Sequence, residues 1–141
     1  MVFTYDFVNQ TLPRILRVGM NPSAPWLFFK KDAKGEKLRD AHGNFVYDGY
    51  CHEFLLEIAS RIGFEYEIVL SSDWQRSGYE YGKKFKNGTW TGLIGDLASG
   101  EVDLVVADLT MTSEREEIID FVSPYFDQVS VFKIVVTSIF L

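Results

Sequence analysis

Residues 90–125 run WTGLIGDLASGEVDLVVADLTMTSEREEIIDFVSPY. The pattern reads helix, turn, buried strand, polar turn, short helix and an aromatic-proline exit. The strand is the strongest constraint. Residues 102–107 are almost continuously apolar over the length of one strand. Such a run demands a sheet covered on both faces. A helix is expected over 92–99, stopped by Gly100. Thr110 and Thr112 follow directly on the strand. Arg115 falls just inside the next helix start, where Ser113 with Glu116 fits a capping box. Hydroxyls, N–H groups without intrahelical partners and one guanidinium therefore collect at a strand's C-terminal end. That set suits a carboxylate, because helix starts attract anions and a guanidinium can grip both carboxylate oxygens. The competing reading is a capped surface helix whose arginine pairs with Glu116, Glu117 or Asp120.

The rest of the chain reads as the same kind of unit. Residues 15–20 form a short apolar strand, broken by Asn21, Pro22, Ser23 and Pro25. Residues 30–44 are charged and carry glycine, as in a surface loop or hairpin, with 45–47 as its returning strand. Asp48 can cap a helix running to Ile62, with Gly63 ending it in the left-handed conformation. Phe54, Ile58 and Ile62, with Leu55 and Ala59, are expected on its buried face. Residues 65–70, EYEIVL, alternate as a strand does. Residues 71–89 make a long polar loop holding Trp74, Tyr79, Tyr81 and Phe85, and a loop of that length is usually functional. The order strand, helix, strand, helix, strand indicates an α/β lobe with a mostly parallel sheet flanked by helices. Ligands of such sheets bind beyond the C-terminal strand ends. Residues 20–25, 71–81 and 108–115 all lie past such ends, so three segments converge on one edge.

Composition narrows the function. The chain has 141 residues, enough for one domain, and 47% of them are hydrophobic, which argues against wholesale disorder. A formal charge of -6 disfavours nucleic acid or an anionic membrane surface as main partner. Cys51 is the only cysteine, so no internal disulfide forms, and it is expected as a buried apolar thiol. The N-terminus lacks the pattern of a signal peptide, and no run has the length of a membrane span. The tail VSVFKIVVTSIFL reads as a strand continuing toward something beyond, without strand partners of its own. Asn9-Gln10-Thr11 and Asn87-Gly88-Thr89 are glycosylation tripeptides of low specificity.

Catalysis finds little support. His42 and His52 stand without a second ligand at metal spacing. No Gly-x-Ser-x-Gly elbow occurs, and the glycines before Lys83-Lys84 have the wrong spacing for a phosphate loop. Glu65, Glu67, Asp96 and Asp103 read as solvated or capping residues. A carboxylate–arginine site without base or nucleophile binds and releases, so an enzyme is not expected, and no cofactor or metal is implied.

Three stretches carry a family resemblance: the Gly49-Tyr50-Cys51 helix start, the Trp90-Thr91-Gly92 turn and the run from Leu109 through Thr110, Met111, Thr112, Ser113 and Glu114 to Arg115. Over residues 16–134 the chain resembles the first ligand-binding segment of ionotropic glutamate receptors, whose fold is shared with bacterial periplasmic amino-acid-binding proteins. The resemblance implies a periplasmic-binding-protein-like lobe, one half of an incomplete clamshell, with 1–14 as flank, 15–128 as the lobe and 129–141 leading toward a second lobe. It implies that Arg115 holds the α-carboxylate of an amino-acid agonist such as glutamate or glycine. Thr110 would contribute N–H and hydroxyl, the Asp108 carbonyl would accept from the ammonium, and the ring of Tyr81 would cover the ligand. Ring coverage makes no use of the tyrosine hydroxyl, and Tyr79 competes for the role. The resemblance further implies a second lobe and a channel pore elsewhere, a tetramer at full length, and a place on the extracellular side of the plasma membrane. The alternative function is a soluble amino-acid-binding protein serving a transporter; a carboxylate-processing enzyme and a truncated product without ligand function stand behind it. Two departures bear on ligand identity. Asp108 stands where the receptors more often have proline or a small residue. Ser23-Ala24-Pro25-Trp26 offers no carboxylate where many members carry Glu.

Overall fold

The computed structural model describes residues 15–76, 78, 80–122 and the backbone of 133–136. The first strand, β1, spans Ile15–Gly19. A small antiparallel pair follows, β2 (Phe28–Phe29) with β3 (Tyr47–Asp48), and then helix α1 (Tyr50–Ile62). Strand β4 is Glu65–Val69, helix α2 is Gly92–Ala98 and strand β5 is Leu104–Ala107. The short helix α3 (Ser113–Glu116) leads to β6 (Asp120–Phe121), and β7 is Lys133–Val136. Among the described residues, five strands make one sheet in the order β4-β1-β5-β7-β6. β1 is parallel to both β4 and β5, while β7 runs antiparallel to β5 and β6.

Strand β5 sits inside the sheet and all four of its residues are buried. Its side chains divide between two cores, as the strand period of two requires. Leu104 and Val106 join Val18, Met20, Leu27, Cys51 and Leu55 beneath α1. Val105 and Ala107 join Leu93, Ile94, Leu97, Val102, Leu109 and Ile119 beneath α2. The expected double coverage is therefore present, and Cys51 is a buried thiol as its surroundings suggested. This arrangement fixes the end of β5, and with it the position of every residue from Asp108 onward.

Several local expectations shift. Asp48 does not cap α1; the N-cap is Gly49, and the Asp48 carboxylate accepts the Gly49 N–H at 2.8 Å and pairs with Lys30 at 3.4 Å. The reason is that the first helical N–H groups already have acceptors. Tyr50 N–H donates to the Pro25 carbonyl at 3.3 Å, and Cys51 N–H to the Trp26 carbonyl at 2.9 Å. Gly63 ends the helix in the left-handed region at φ 84°, as expected. The buried face is Cys51, Leu55 and Ala59, and Ile62 is 66% exposed, so the buried stripe is rotated from the expected one. The cap of α3 is Thr112, whose side chain accepts the Arg115 N–H, rather than Ser113. The part of the tail in β7 finds partners in the lobe's own sheet, which the sequence reading had left without any.

Asp103 is not merely solvated. Its carboxylate accepts from the Arg17 backbone N–H (2.9 Å), Nε (3.1 Å) and Nη2 (2.8 Å), pinning β1 to the start of β5. The Arg17 side-chain bond, and then its backbone N–H, hold the Asp103 carboxyl below the usual carboxylate range. A depressed folded-state pKa contributes stability above the unfolded pKa, and that stability is lost as pH falls through the folded one. Asp103→Asn should therefore lower the melting temperature at pH 7, and the difference from wild type should shrink in acid below the ordinary aspartate range. A gap that stays constant down to pH 2 would contradict this account of the pair.

Candidate functional site

The three segments expected at one sheet edge do meet there. Asn21, directly after β1 and only 5% exposed, links two of them. Its side-chain Nδ2 donates to the Glu80 carbonyl at 2.6 Å, and its Oδ1 accepts the Ser71 N–H at 3.2 Å. The loop holding Tyr81 is in turn docked on α2. Leu93 N–H donates to the Glu80 carbonyl and Ile94 N–H to the Tyr81 carbonyl, each at 3.1 Å. These bonds serve both elements at once, because the first N–H groups of α2 need acceptors from outside the helix.

The third segment leaves β5 through Asp108. Leu109 is fully buried in the α2-side core and anchors the turn, while Thr110 is exposed. Arg115 is half-buried and folds back over this turn. Its Nη1 donates to the Thr110 carbonyl at 2.7 Å and its Nη2 to the Gly82 carbonyl at 3.4 Å. The guanidinium is thus directed to neutral carbonyls rather than to Glu116 or Glu117, and Glu117 instead faces Lys84 at 3.8 Å. Burial lowers the Arg115 pKa, but a guanidinium remains cationic. Two carbonyls orient the cation without neutralising it. Among the described residues its remaining N–H donors have no acceptor, so they and the positive charge can meet an anion, as a carboxylate site needs.

Asp108 presents more than its carbonyl. The Tyr81 hydroxyl donates to Asp108 Oδ1 at 2.8 Å, and the Ser23 hydroxyl donates to Oδ2 at 3.4 Å. Burial pushes the Asp108 carboxyl above the usual carboxylate range, against the opposing hydrogen bonds from Tyr81, its own N–H and Ser23. Burial likewise pushes the Tyr81 phenol well above its ordinary value. Sequence reasoning missed the roles of Asn21 and the Gly82 carbonyl, and the bond of Ser23 to Asp108. Their signal was position alone, just after β1 and just before the α2 turn. Tyr79, the competitor of Tyr81, lies outside the described residues. Asp96 also departs from the solvated reading: it is half-buried, and burial raises its pKa, with Ser71 bonding against that shift and Glu101 and Asp73 adding to it.

The Tyr81 contact changes what its substitution should do. Ring coverage alone leaves Tyr81→Phe silent. With a 2.8 Å bond to a partly buried carboxylate, Tyr81→Phe should cost roughly 1–2 kcal/mol of stability. Chemical denaturation of the variant checks this, and a midpoint equal to wild type would restrict Tyr81 to its ring.

A hollow of about 700 Å³ is lined by Pro22, Leu27, Phe29, Lys37 and neighbours, and includes none of Tyr81, Asp108, Thr110 or Arg115. Among the described residues no helix is long and apolar enough to cross a membrane.

Comparison with known proteins bears on this arrangement. Residues 14–137 match the family model described as the ligated ion channel L-glutamate- and glycine-binding site. The kainate 4 ionotropic glutamate receptor of Rattus norvegicus is 44% identical over 87 residues, covering 62% of this chain and 9% of that protein. Its Homo sapiens counterpart is 42% identical over the same length. Glutamate receptor 2 of Caenorhabditis elegans is 35% identical over 124 residues, covering 77% of this chain and 12% of that protein. The chain thus spans a small part of the length of these relatives. Its mostly parallel sheet, flanked by helices, is that of a partial periplasmic-binding-protein-like lobe. On the match across 14–137, the chain belongs to the ligated ion channel L-glutamate- and glycine-binding family, the ligand-binding domain of ionotropic glutamate receptors.

Proposed function

We propose that this chain is the first agonist-binding lobe of a ligand-gated ion channel of the ionotropic glutamate receptor type. Arg115 holds the α-carboxylate of an amino acid, and the Thr110 N–H and hydroxyl complete that contact. The Asp108 carbonyl accepts from the ammonium, and the ring of Tyr81 covers the ligand. The observation that carries the reading is the Arg115 guanidinium oriented by the Thr110 and Gly82 carbonyls at the end of β5. The kainate receptors among the relatives support a channel rather than an enzyme.

In this reading residues 15–128 are the lobe, and 129–141 lead toward a second lobe that closes over the agonist. Closure does mechanical work on a pore only because the closed clamshell binds the agonist better than the open one. The lobe then lies on the extracellular side of the plasma membrane within a tetrameric receptor.

One lobe supplies one wall of a clamshell, and small ligands need enclosure to offset the entropy lost on capture. The 141-residue chain alone should therefore bind glutamate, glycine and serine weakly or not at all. The same chain joined to a second-lobe segment should bind one of them saturably. Calorimetric titration of both proteins tests this. Tight saturable binding by the 141-residue chain alone would overturn the shared-clamshell reading.

A further inference from the structure

We propose that Asn87, at the tip of the hairpin that joins Lys83 to Thr91, is an N-glycosylation site carrying an oligosaccharide rooted in N-acetylglucosamine. The inference rests on the extracellular placement proposed above, because the sugar is transferred in the lumen of the secretory pathway.

Asn87-Gly88-Thr89 as a tripeptide says little, since such tripeptides are common. Its place in the fold says more. Thr91 N–H donates to the Lys83 carbonyl at 3.1 Å, Lys84 and Trp90 form an antiparallel bridge, and Phe85 N–H donates to the Thr89 carbonyl at 2.8 Å. Gly88 N–H closes the loop on the Phe85 carbonyl at 2.9 Å. Gly88 holds φ at +86°, the left-handed conformation that such a hairpin loop uses, and a Cβ there would meet nothing within 4 Å. Residues 83–89 are all exposed. The acceptor thus stands on a solvent-exposed tip, with open space beside it at Gly88.

The Asn87 carboxamide is already posed for transfer. Its Oδ1 accepts the Thr89 N–H at 3.1 Å and the Thr89 hydroxyl at 2.7 Å. A backbone N–H only donates, so the atom it meets is the oxygen, and Nδ2 is the other arm of the amide. Among the described residues Nδ2 has no acceptor. Two donors on Oδ1 stabilise negative charge there, which eases loss of an Nδ2 proton. These contacts span three residues, so the chain can make them before the lobe has folded. The sugar donor is a polyprenyl-diphosphate oligosaccharide of the host membrane. Nδ2 attacks C1 of its first sugar: the Nδ2–C1 bond forms and the C1–O bond to phosphate breaks. The diphosphate leaves with the electron pair, and one Nδ2 proton passes to a base of the transferase. The other tripeptide, Asn9-Gln10-Thr11, lies outside the described residues. An occupied Asn87 keeps the hairpin tip in solvent, so neither a second lobe nor a neighbouring subunit packs on it.

The test uses the chain joined to a second-lobe segment and led by a cleavable signal peptide, secreted from cultured mammalian cells. The intact protein is deglycosylated by peptide N-glycosidase in H₂¹⁸O, then digested and mapped by mass spectrometry. An asparagine that carried a glycan appears as aspartate holding one ¹⁸O, and the map separates position 87 from position 9. Most wild-type molecules should show the mark at position 87. Thr89→Val, which removes the hydroxyl and keeps the shape, should lose it, and Thr89→Ser should keep it. Secreted wild type without the mark at position 87 overturns the inference and leaves the Arg115 reading intact. The mark persisting in Thr89→Val overturns the part given to the Thr89 hydroxyl. The natural full-length product, purified from cell membranes, should carry the same mark. An unmodified Asn87 there, beside a modified one in the secreted domain, overturns the extracellular placement and the inference with it.

Discussion

Arg115→Lys should cost the two-lobe binding domain on the order of 2 kcal/mol or more in affinity for any α-amino acid. Lysine keeps the charge, so a purely electrostatic site would tolerate it. The geometry does not. Arg115 spends one N–H on the Thr110 carbonyl and one on the Gly82 carbonyl, and those bonds set the plane of the guanidinium. A planar fork so oriented meets a carboxylate along two parallel bonds. An ammonium on a flexible stem cannot satisfy both carbonyls and a bidentate ligand together. The fold should be unaffected, because the residue is only half-buried and its helix is capped by Thr112 rather than by the guanidinium. Isothermal titration with L-glutamate and glycine is the check, and affinities equal to wild type would remove Arg115 from the site.

Gly82→Ala should be among the most damaging single-methyl changes in the lobe. Gly82 holds φ at +135°, a region that side chains rarely adopt. A Cβ there would lie 2.6 Å from Ile94 Cβ, 2.7 Å from Ile94 Cγ1 and 3.1 Å from the Thr91 carbonyl. Ile94 is fully buried in the α2-side core and cannot yield. Backbone strain and overpacking together should cost about 2–5 kcal/mol. Relief by moving the loop would draw the Gly82 carbonyl away from Arg115, so ligand binding should fall along with stability. Gly88→Ala is the control: its φ is +86° but nothing lies within 4 Å of the added carbon. Urea denaturation of the two variants should show a clearly larger loss at Gly82. Equal losses would mean that the Tyr81-Gly82 turn is not packed on α2 as described.

Much of the frame was legible because its signals are local. The run from Val102 to Ala107 implied a strand covered on both faces, and β5 is buried at all four residues between α1 and α2. Gly63 and Gly100 marked helix ends through their own conformational freedom. The features that escaped depend on partners distant in sequence. Asp48 lost its capping role because the Pro25 and Trp26 carbonyls had already taken the first N–H groups of α1. The buried face of α1 is set by where the sheet lies, so Ile62 is exposed although its spacing fits the stripe. The tail strand appeared partnerless because its partners, β5 and β6, are chosen by three-dimensional closure of the sheet. In the site, Arg115, Thr110, Asp108 and Tyr81 were all named from sequence, the roles of Asp108 and Tyr81 through the family resemblance. What the sequence withheld was the bonding among them. Nothing in the order of residues says that a phenol will meet the Asp108 carboxylate, or that an arginine will rest on the Gly82 carbonyl.

The central claim is that the Arg115 guanidinium and the Thr110 turn together receive the carboxylate of an amino acid. Nuclear magnetic resonance of the two-lobe domain labelled with ¹⁵N tests it most directly, through the Arg115 Nε–H and the Thr110 backbone N–H. On titration with L-glutamate or glycine, the two signals should move together and saturate at one ligand concentration. The Nε–H of Arg61, bonded to Glu57 on the exposed side of α1, should stay in place. Calorimetric saturation by an amino acid that leaves both the Arg115 and Thr110 signals unmoved would contradict the account.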